Sequence, residues 1–246
     1  MVVKHKMSDI IHKFPRTKHI TNALKSATRD DLIMTAAEAS AFIGPELIIT
    51  EKCDGANLGF SLGEDYTIRI QNRSHYVSAK EGDQFKILGK WVEDHREALY
   101  AVLDPPLSKI LFGELVYIKH SIEYTALPDY FLAFDLYDIT TGKFMAYDRL
   151  VDTLKDTNIH VVPVISRMPI VKIADLLPMV NQQSHFCTNV QKVEGIYIKV
   201  CDAEHVLHRS KLVRTDFLAG GEDGEVVHWK KKEFVKNQLV KDQMFS

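Results

Sequence analysis

Four short apolar runs in this chain carry charge at positions where a strand built for a core tolerates none. Leu47-Ile48-Ile49-Thr50 leads directly into Glu51 and Lys52, and Glu114 sits inside Leu111-Phe112-Gly113-Glu114-Leu115-Val116. Asp135 interrupts Phe131-Leu132-Ala133-Phe134-Asp135-Leu136-Tyr137, and Glu194 and Lys199 bracket Gly195-Ile196-Tyr197-Ile198. An unpaired buried ion costs several kcal/mol, so each of these charges needs a partner or a task. Ion pairs holding a sheet together would account for one or two of them. Four in one chain point to a shared polar pocket.

The runs themselves predict a strand-rich fold. Residues 47–50, 57–62 and 66–71 are β-branched or aromatic stretches separated by glycine-containing turns, the pattern of antiparallel neighbours. Residues 110–118 and 130–138 are nearly continuous apolar runs and predict central strands covered on both faces. A further strand is expected near 160–165, and a last pair at 195–200 and 205–213. Helical spacing runs from Asp31, where Asp30-Asp31 would cap a helix reaching about Phe42, and again over 84–103, 149–155 and 173–181. Residues 229–241 are basic with helical apolar spacing and predict a terminal helix within a basic tail at about 225–246. No repeat or linker divides the sequence, so a single α+β domain over 1–246 is expected, with its motifs at about 45–217.

Charge and cysteine usage narrow the function class. The 31 basic and 33 acidic residues leave a net charge of −2, so any grip on an anionic polymer must use local clusters. Cys53, Cys187 and Cys201 are odd in number and lack zinc-ligand spacing, which suits a reducing, cytoplasmic setting. No stretch of eighteen apolar residues predicts a membrane span.

Lys52 decides the chemistry. In Glu51-Lys52-Cys53-Asp54-Gly55-Ala56-Asn57 it stands where a strand breaks into a turn, and Gly55 allows close backbone approach to a ligand. A lysine becomes a covalent nucleophile when its surroundings favour the neutral amine. Cys53 reads as a spacer, since nothing nearby marks a reactive thiol.

The order of motifs around Lys52 resembles that of the covalent nucleotidyltransferases, the family of ATP-dependent DNA ligases, RNA ligases and mRNA capping enzymes. Lys52-Cys53-Asp54-Gly55-Ala56-Asn57 looks like the first motif, followed by Arg73, Phe112-Gly113-Glu114, Phe131-Leu132-Ala133-Phe134-Asp135, Glu194-Gly195-Ile196-Tyr197-Ile198-Lys199 and Arg209-Ser210-Lys211. Within the family the chain is most similar to RNA ligases of the RNA ligase 2 type. The resemblance implies a ligase-type nucleotidyltransferase fold, with antiparallel sheets around an ATP pocket and flanking helices. It also implies AMP transfer from ATP to Lys52, then to an RNA 5′-phosphate, then displacement of AMP by a 3′-hydroxyl.

Carried onto matching positions, the resemblance gives Glu51 the adenine amino group and Phe134 the face of the base. It assigns the ribose and neighbouring phosphates to Asn57, Arg73 and Glu114, and a divalent metal, Mg2+ or Mn2+, to Glu194. Lys199, Arg209 and Lys211 would neutralise the α-phosphate, while Asp54 and Asp135 would line or support the nucleotide. The bland alternatives stand beside these: Phe134 as core packing, Arg73 as a surface turn residue. His120 and the cluster His12, Lys13, Arg16, Lys18 and His19 could touch RNA phosphates or simply be solvated.

One departure is that arginine occupies position 209, where the family usually has lysine. A second is that only residues 215–246 follow the last motif. That is short of the OB domain of DNA ligases and capping enzymes, so a minimal RNA ligase acting as a monomer is expected, with Lys230, Lys231 and Lys232 adding phosphate contacts. A DNA ligase or guanylyltransferase catalytic domain, or an inactive relative binding nucleotide or RNA ends, are the alternatives. Whether nicks, broken stems or single strands are joined depends on surface shape.

Overall fold

The computed structural model describes residues 11–25, 27, 31–215 and 234–240. In chain order the elements are α1 (Ala36–Ser40), β1 (Glu46–Lys52), β2 (Ala56–Leu62), β3 (Ile68–Gln71), α2 (Leu88–Asp94), α3 (Arg96–Leu103), β4 (Lys109–Leu115) and β5 (Phe131–Asp138). There follow β6 (Lys143–Phe144), α4 (Tyr147–Leu154), β7 (His160–Val161), β8 (Val164–Pro169), β9 (Gly195–Cys201) and β10 (Val206–Val213). They fall into two compact units, described in turn: Ala56–Leu115 and Phe131–Val161 with the described residues before Arg16, and Arg16–Gly55, Val116–Tyr130 and the chain from Val162 onward.

The second unit is built on a four-stranded antiparallel sheet in the order β10-β9-β1-β8. Its register explains how apolar and charged residues coexist on the same strands. Side chains alternate between faces along a strand. Leu47 and Ile49 of β1, Ile196, Ile198 and Val200 of β9 and Leu212 of β10 therefore share one face, where they pack with Ile20, Phe42, Ile170, Leu176 and Val180. Each fully buried Leu, Ile or Phe of this set stabilises the fold by about 1.5–3 kcal/mol. The opposite face receives Lys52, Tyr197, Lys199, Arg209 and Lys211, since Thr50 is level with Tyr197 and Lys211, and Ile48 with Lys199 and Arg209. Gly195 is required by the ladder, because a Cβ there would lie 2.2 Å from the Leu212 carbonyl oxygen.

The other unit holds a sheet in the order β3-β2-β4-β5-β6, with β7 parallel to β5. On one face Phe60 stacks on Trp91 at 5.0 Å and meets Phe131 edge-on at 4.9 Å. On the other, Phe14, Ile110 and Phe112 form a small core with Phe134, Tyr137, Ile139 and Phe144 against it.

Several expected boundaries move, each for a local reason. The strand expected at 47–50 is not a neighbour of 57–62: β1 pairs with β8 and β9, whereas β2 pairs with β3 and β4. The helix expected over 84–103 is a 3-10 turn, α2 and α3, broken at His95 (φ −116°, ψ 10°), whose ring stacks on Trp91 at 4.0 Å and whose Nδ1 lies 2.8 Å from the Trp91 carbonyl oxygen. The strand expected at 160–165 is divided between sheets as β7 and β8, because Pro163 between them has no N–H for a ladder. Ile173–Asn181 is a 3-10 helix, with Pro178 denying it regular α-helical bonding.

The cap of α1 is Thr35, with Glu38 completing a capping box, not Asp31; Asp30 lies outside the described residues. Of the terminal helix expected at 229–241, residues 234–239 are not helical, and Val240 alone of the described residues there is. Residues 234–239 run extended, bridging Ile118 through Lys236 and Leu127 through Leu239, so their backbone hydrogen bonds go to another segment. The remainder of that tail, including Lys230, Lys231 and Lys232, lies outside the described residues. Cys53, Cys187 and Cys201 are in no disulfide. Among the described residues no helix is long and apolar enough to cross a membrane.

Candidate active site

Lys52 is the last residue of β1, and the Nζ of its side chain donates to both oxygens of Glu194, at 2.5 and 2.6 Å. Glu194 immediately precedes β9, whose first residue is level with Lys52, so the ladder register delivers the carboxylate to the lysine. The pair is largely enclosed, with 19% of the lysine side chain and 9% of the glutamate side chain exposed. Burial raises the Glu194 carboxyl to about 7 against the opposing pull of Lys52. Lys199 and Arg209 are cross-strand partners on the same face, as are Tyr197 and Lys211. Lys211 Nζ donates to Asp31 at 2.8 Å.

The turn after Lys52 is held by a network the sequence did not announce. The Asp54 carboxylate accepts the backbone N–H groups of Ser121 and Ile122 at 2.7 and 2.9 Å, and its own N–H donates to the Tyr124 hydroxyl at 2.8 Å. Tyr124 is fully buried, which pushes its phenol well above the ordinary range, so it remains neutral. Its backbone is in turn fixed by Asn237, whose Oδ1 accepts from Tyr124 N and whose Nδ2 donates to Val116 O, both at 2.9 Å. Nothing in the local sequence marks Tyr124 or Asn237: their spacing reads as loop and terminal helix. Asp54, expected among the nucleotide contacts, has its Oδ2 engaged by protein backbone.

Glu51 points to the core side of the same strand and is 1% exposed. One oxygen accepts from Ser184 Oγ at 2.6 Å, the other from His185 N at 3.0 Å. Burial raises its carboxyl, and these two donors work in the opposite direction.

In the other unit, Asn57 and Glu114 are level on β2 and β4, so their side chains emerge on one face. Asn57 Oδ1 is buried without a hydrogen-bond partner, a vacant acceptor in a part-exposed residue. The β4–β5 ladder slips between Phe112 and Gly113, leaving Phe134 as the extra residue of a bulge next to the buried Asp135. Phe134 is half-buried and meets Phe14 edge-on at 5.2 Å. Arg73 is exposed in the turn following β3.

The N-terminal basic cluster separates by residue: Phe14 enters the core, Lys18 pairs with Glu38, and His19 is buried. His120 is buried as well.

A divalent cation can be tested against these donors. Among the described residues no three His, Cys, Asp or Glu side chains are grouped to cage a metal. Glu194 fits instead the mode in which Mg2+ takes one or two carboxylates and completes its shell with water and substrate phosphate oxygens.

A family model described as RNA ligase matches residues 45–213. No curated protein matches the chain by sequence. Among solved structures, the fold is similar to a Naegleria gruberi RNA ligase with PPi, at 20% identity and TM-score 0.63, covering 87% of this chain and 58% of that one. It is similar also to a mutant of that ligase with AMP and Mn, at 16% identity and TM-score 0.64, covering 87% and 59% of the two chains. A further mutant, with ATP and Mn, gives 18% and 0.61, covering 88% and 62%. The chain thus spans about 58% of the length of the first of these ligases. By the match over residues 45–213, which encloses Lys52, Glu194 and the β10 cations, this chain belongs to the RNA ligase family.

Proposed function

We propose that this protein is an ATP-dependent RNA ligase that joins 3′-hydroxyl and 5′-phosphate RNA ends, acting in the resealing of broken RNA. The observation that carries the reading is the Lys52–Glu194 pair on the face that also presents Lys199, Arg209 and Lys211. A nucleophile, a carboxylate that can shed or share charge, and several cations on one surface suit displacement at phosphorus, where positioning and charge neutralisation dominate.

In the first step Lys52 Nζ, as the neutral amine, attacks the ATP α-phosphorus. A P–N bond forms, the bond to the pyrophosphate oxygen breaks and pyrophosphate leaves. A 5′-phosphate oxygen of RNA then attacks the lysyl-AMP, breaking the P–N bond and releasing the amine. Finally a 3′-hydroxyl attacks the activated 5′-phosphorus, and AMP departs as a phosphodiester forms. Lys199, Lys211 and Arg209 stabilise the charge developing on phosphate oxygens in the first step. A divalent cation held by Glu194 would neutralise phosphate charge and draw the carboxylate from Lys52, favouring the neutral amine. Glu51 accepts from the adenine amino group in exchange for its present donor Ser184 or His185, Phe134 offers a ring to the base, and Asn57, Glu114 and Arg73 contact ribose and phosphates. Asp135 supports Phe134 from beneath, and Asp54 shapes the nucleophile turn.

The test is intact mass after incubation with ATP and Mg2+ and no nucleic acid, with GTP and Lys52→Ala as controls. The expected result is a gain of one AMP that requires ATP and Lys52. Absence of an adduct after pyrophosphatase treatment would remove the covalent reading and favour a protein that only binds nucleotide or RNA ends. Joining of a 5′-phosphorylated RNA, compared with DNA of the same sequence, tests the polymer.

A further inference from the structure

Lys211 lies on the outer strand of its sheet, but that edge is covered. Residues 18–20 lie alongside β10: Lys211 N donates to Lys18 O and Ile20 N to Lys211 O, both at 3.0 Å. A second segment follows the first, with His19 N bonded to Leu32 O at 2.7 Å and Met34 N to His19 O at 2.9 Å. Both pairings are parallel, matching His19 with Lys211 and with Ile33. Paired residues project to the same face, so the ladder carries His19, and Asp31 two residues before Ile33, to the charged face beside Lys211. Their contacts agree. Lys211 Nζ donates to Asp31 Oδ1 at 2.8 Å, and His19 Nε2 stands 3.4 Å from that same oxygen.

His19 is the odd member of the group. It is 1% exposed, yet neither ring nitrogen has a hydrogen-bond partner. Burial first, and the charge of Lys211 second, hold its pKa below the ordinary value, which keeps the ring neutral with one N–H to donate. A buried polar group without a partner is destabilising. A closure of about 0.5 Å would give the ring a normal hydrogen bond to Asp31. The oxygen it faces is the one that accepts from the Lys211 ammonium, so the two cation-side groups share one acceptor.

We propose that Asp31 and His19 are positioning residues for Lys211: Asp31 holds the ammonium while no phosphate is bound, and His19 takes up the carboxylate when the ammonium turns to phosphate. The inference rests on reading Lys211 as a phosphate-contacting group. Nucleotide binding then involves an exchange of partners with no proton transferred. Lys211 leaves Asp31 for a phosphate oxygen, and the neutral imidazole N–H closes on the carboxylate left behind. Asp31 thereby competes with nucleotide for Lys211, and His19 offsets that competition.

The two residues must act with opposite sign and through each other, which a merely structural role would not produce. The experiment is calorimetric binding of α,β-methylene-ATP, an analogue that cannot give up AMP, to the full chain with Mg2+. Asp31→Asn should bind about three- to tenfold tighter than wild type, and His19→Leu weaker by a similar factor. His19→Gln, which keeps a donor, should restore binding towards wild type. In the Asp31→Asn background His19→Leu should have no further effect, because the carboxylate it serves is gone. Equal or weaker binding by Asp31→Asn, an equal His19→Leu penalty in both backgrounds, or no analogue binding by wild type would each overturn the proposal. Asp31→Asn and His19→Gln are close in shape to the residues they replace, so the central comparisons do not depend on the less conservative variant folding. AMP transfer from ATP is scored separately: analogue binding without any lysyl-AMP would sink the ligase mechanism and leave this exchange standing.

Discussion

The two sheets use the same strand chemistry for opposite ends. In the four-stranded sheet one face is an apolar core and the other gathers Lys52, Lys199, Arg209 and Lys211, with ion pairs to Glu194 and Asp31. The larger sheet places aromatic rings on both faces, with Asn57 and Glu114 level with each other and the half-buried ring of Phe134 at a bulge. The first region is organised by charge, which suits the proposed displacement at phosphorus. The second is organised by shape and hydrogen bonding, which suits recognition of a base and sugar. Damage to the first should therefore slow the chemistry, and damage to the second should weaken binding.

The largest effect should come from Lys52. Lys52→Met should abolish the AMP adduct, by at least about a thousandfold in initial rate by intact mass, because it removes the attacking amine. Its melting temperature should stay near wild type, since the raised carboxyl of Glu194 can take a proton when its lysine is gone.

Glu194 comes next. Glu194→Gln should slow AMP transfer about a hundredfold. It should also change how stability depends on pH. In the wild type the folded carboxyl sits at about 7 against an ordinary 4.5, so the native state binds this proton more tightly than the unfolded chain. The resulting stabilisation is fully present below about 4.5 and is lost as pH rises through about 7. Burial shifts Glu51 in the same direction. Melting curves recorded in EDTA should fall from pH 5 to pH 7 in wild type, with a visibly flatter profile in Glu194→Gln. An unchanged slope would contradict the burial argument.

For the second region, Asn57→Ala should raise the KM for ATP about tenfold while changing kcat for adenylylation much less, since it removes a hydrogen bond made equally in ground and transition states. A dominant fall in kcat instead would erase the distinction between the two faces. The smallest effect belongs to the nucleophile turn. Tyr124→Phe should cost about 1 kcal/mol in denaturant unfolding by leaving the Asp54 N–H without its acceptor, and should slow adenylylation only a few-fold.

The sequence exposed much of this arrangement because charge inside an apolar run is costly and therefore conspicuous. Glu51, Lys52, Glu114, Asp135, Glu194 and Lys199 were all visible for that reason. What was not legible depends on pairing between distant segments. Asp31 read as a helix cap because it precedes an alanine-rich stretch, but Thr35 takes that position and Asp31 binds a lysine 180 residues away. Asn237 read as part of a helix, yet its side chain fixes Tyr124 and Val116. His95 broke a helix whose apolar spacing continued through it.

By itself the amino-acid order determined the strand-rich class and the set of charged residues that needed partners, because period-two alternation and the cost of buried charge act locally. Only the tertiary structure decided which strands are neighbours, that β1 lies between β8 and β9 and not beside β2, and that Asp31 and His19 stand at Lys211. The reason is physical. A strand's hydrogen-bonding edges are the same whatever its sequence, so the choice of partner is made by the packing of whole faces and by the register that lets every buried charge meet its counterpart.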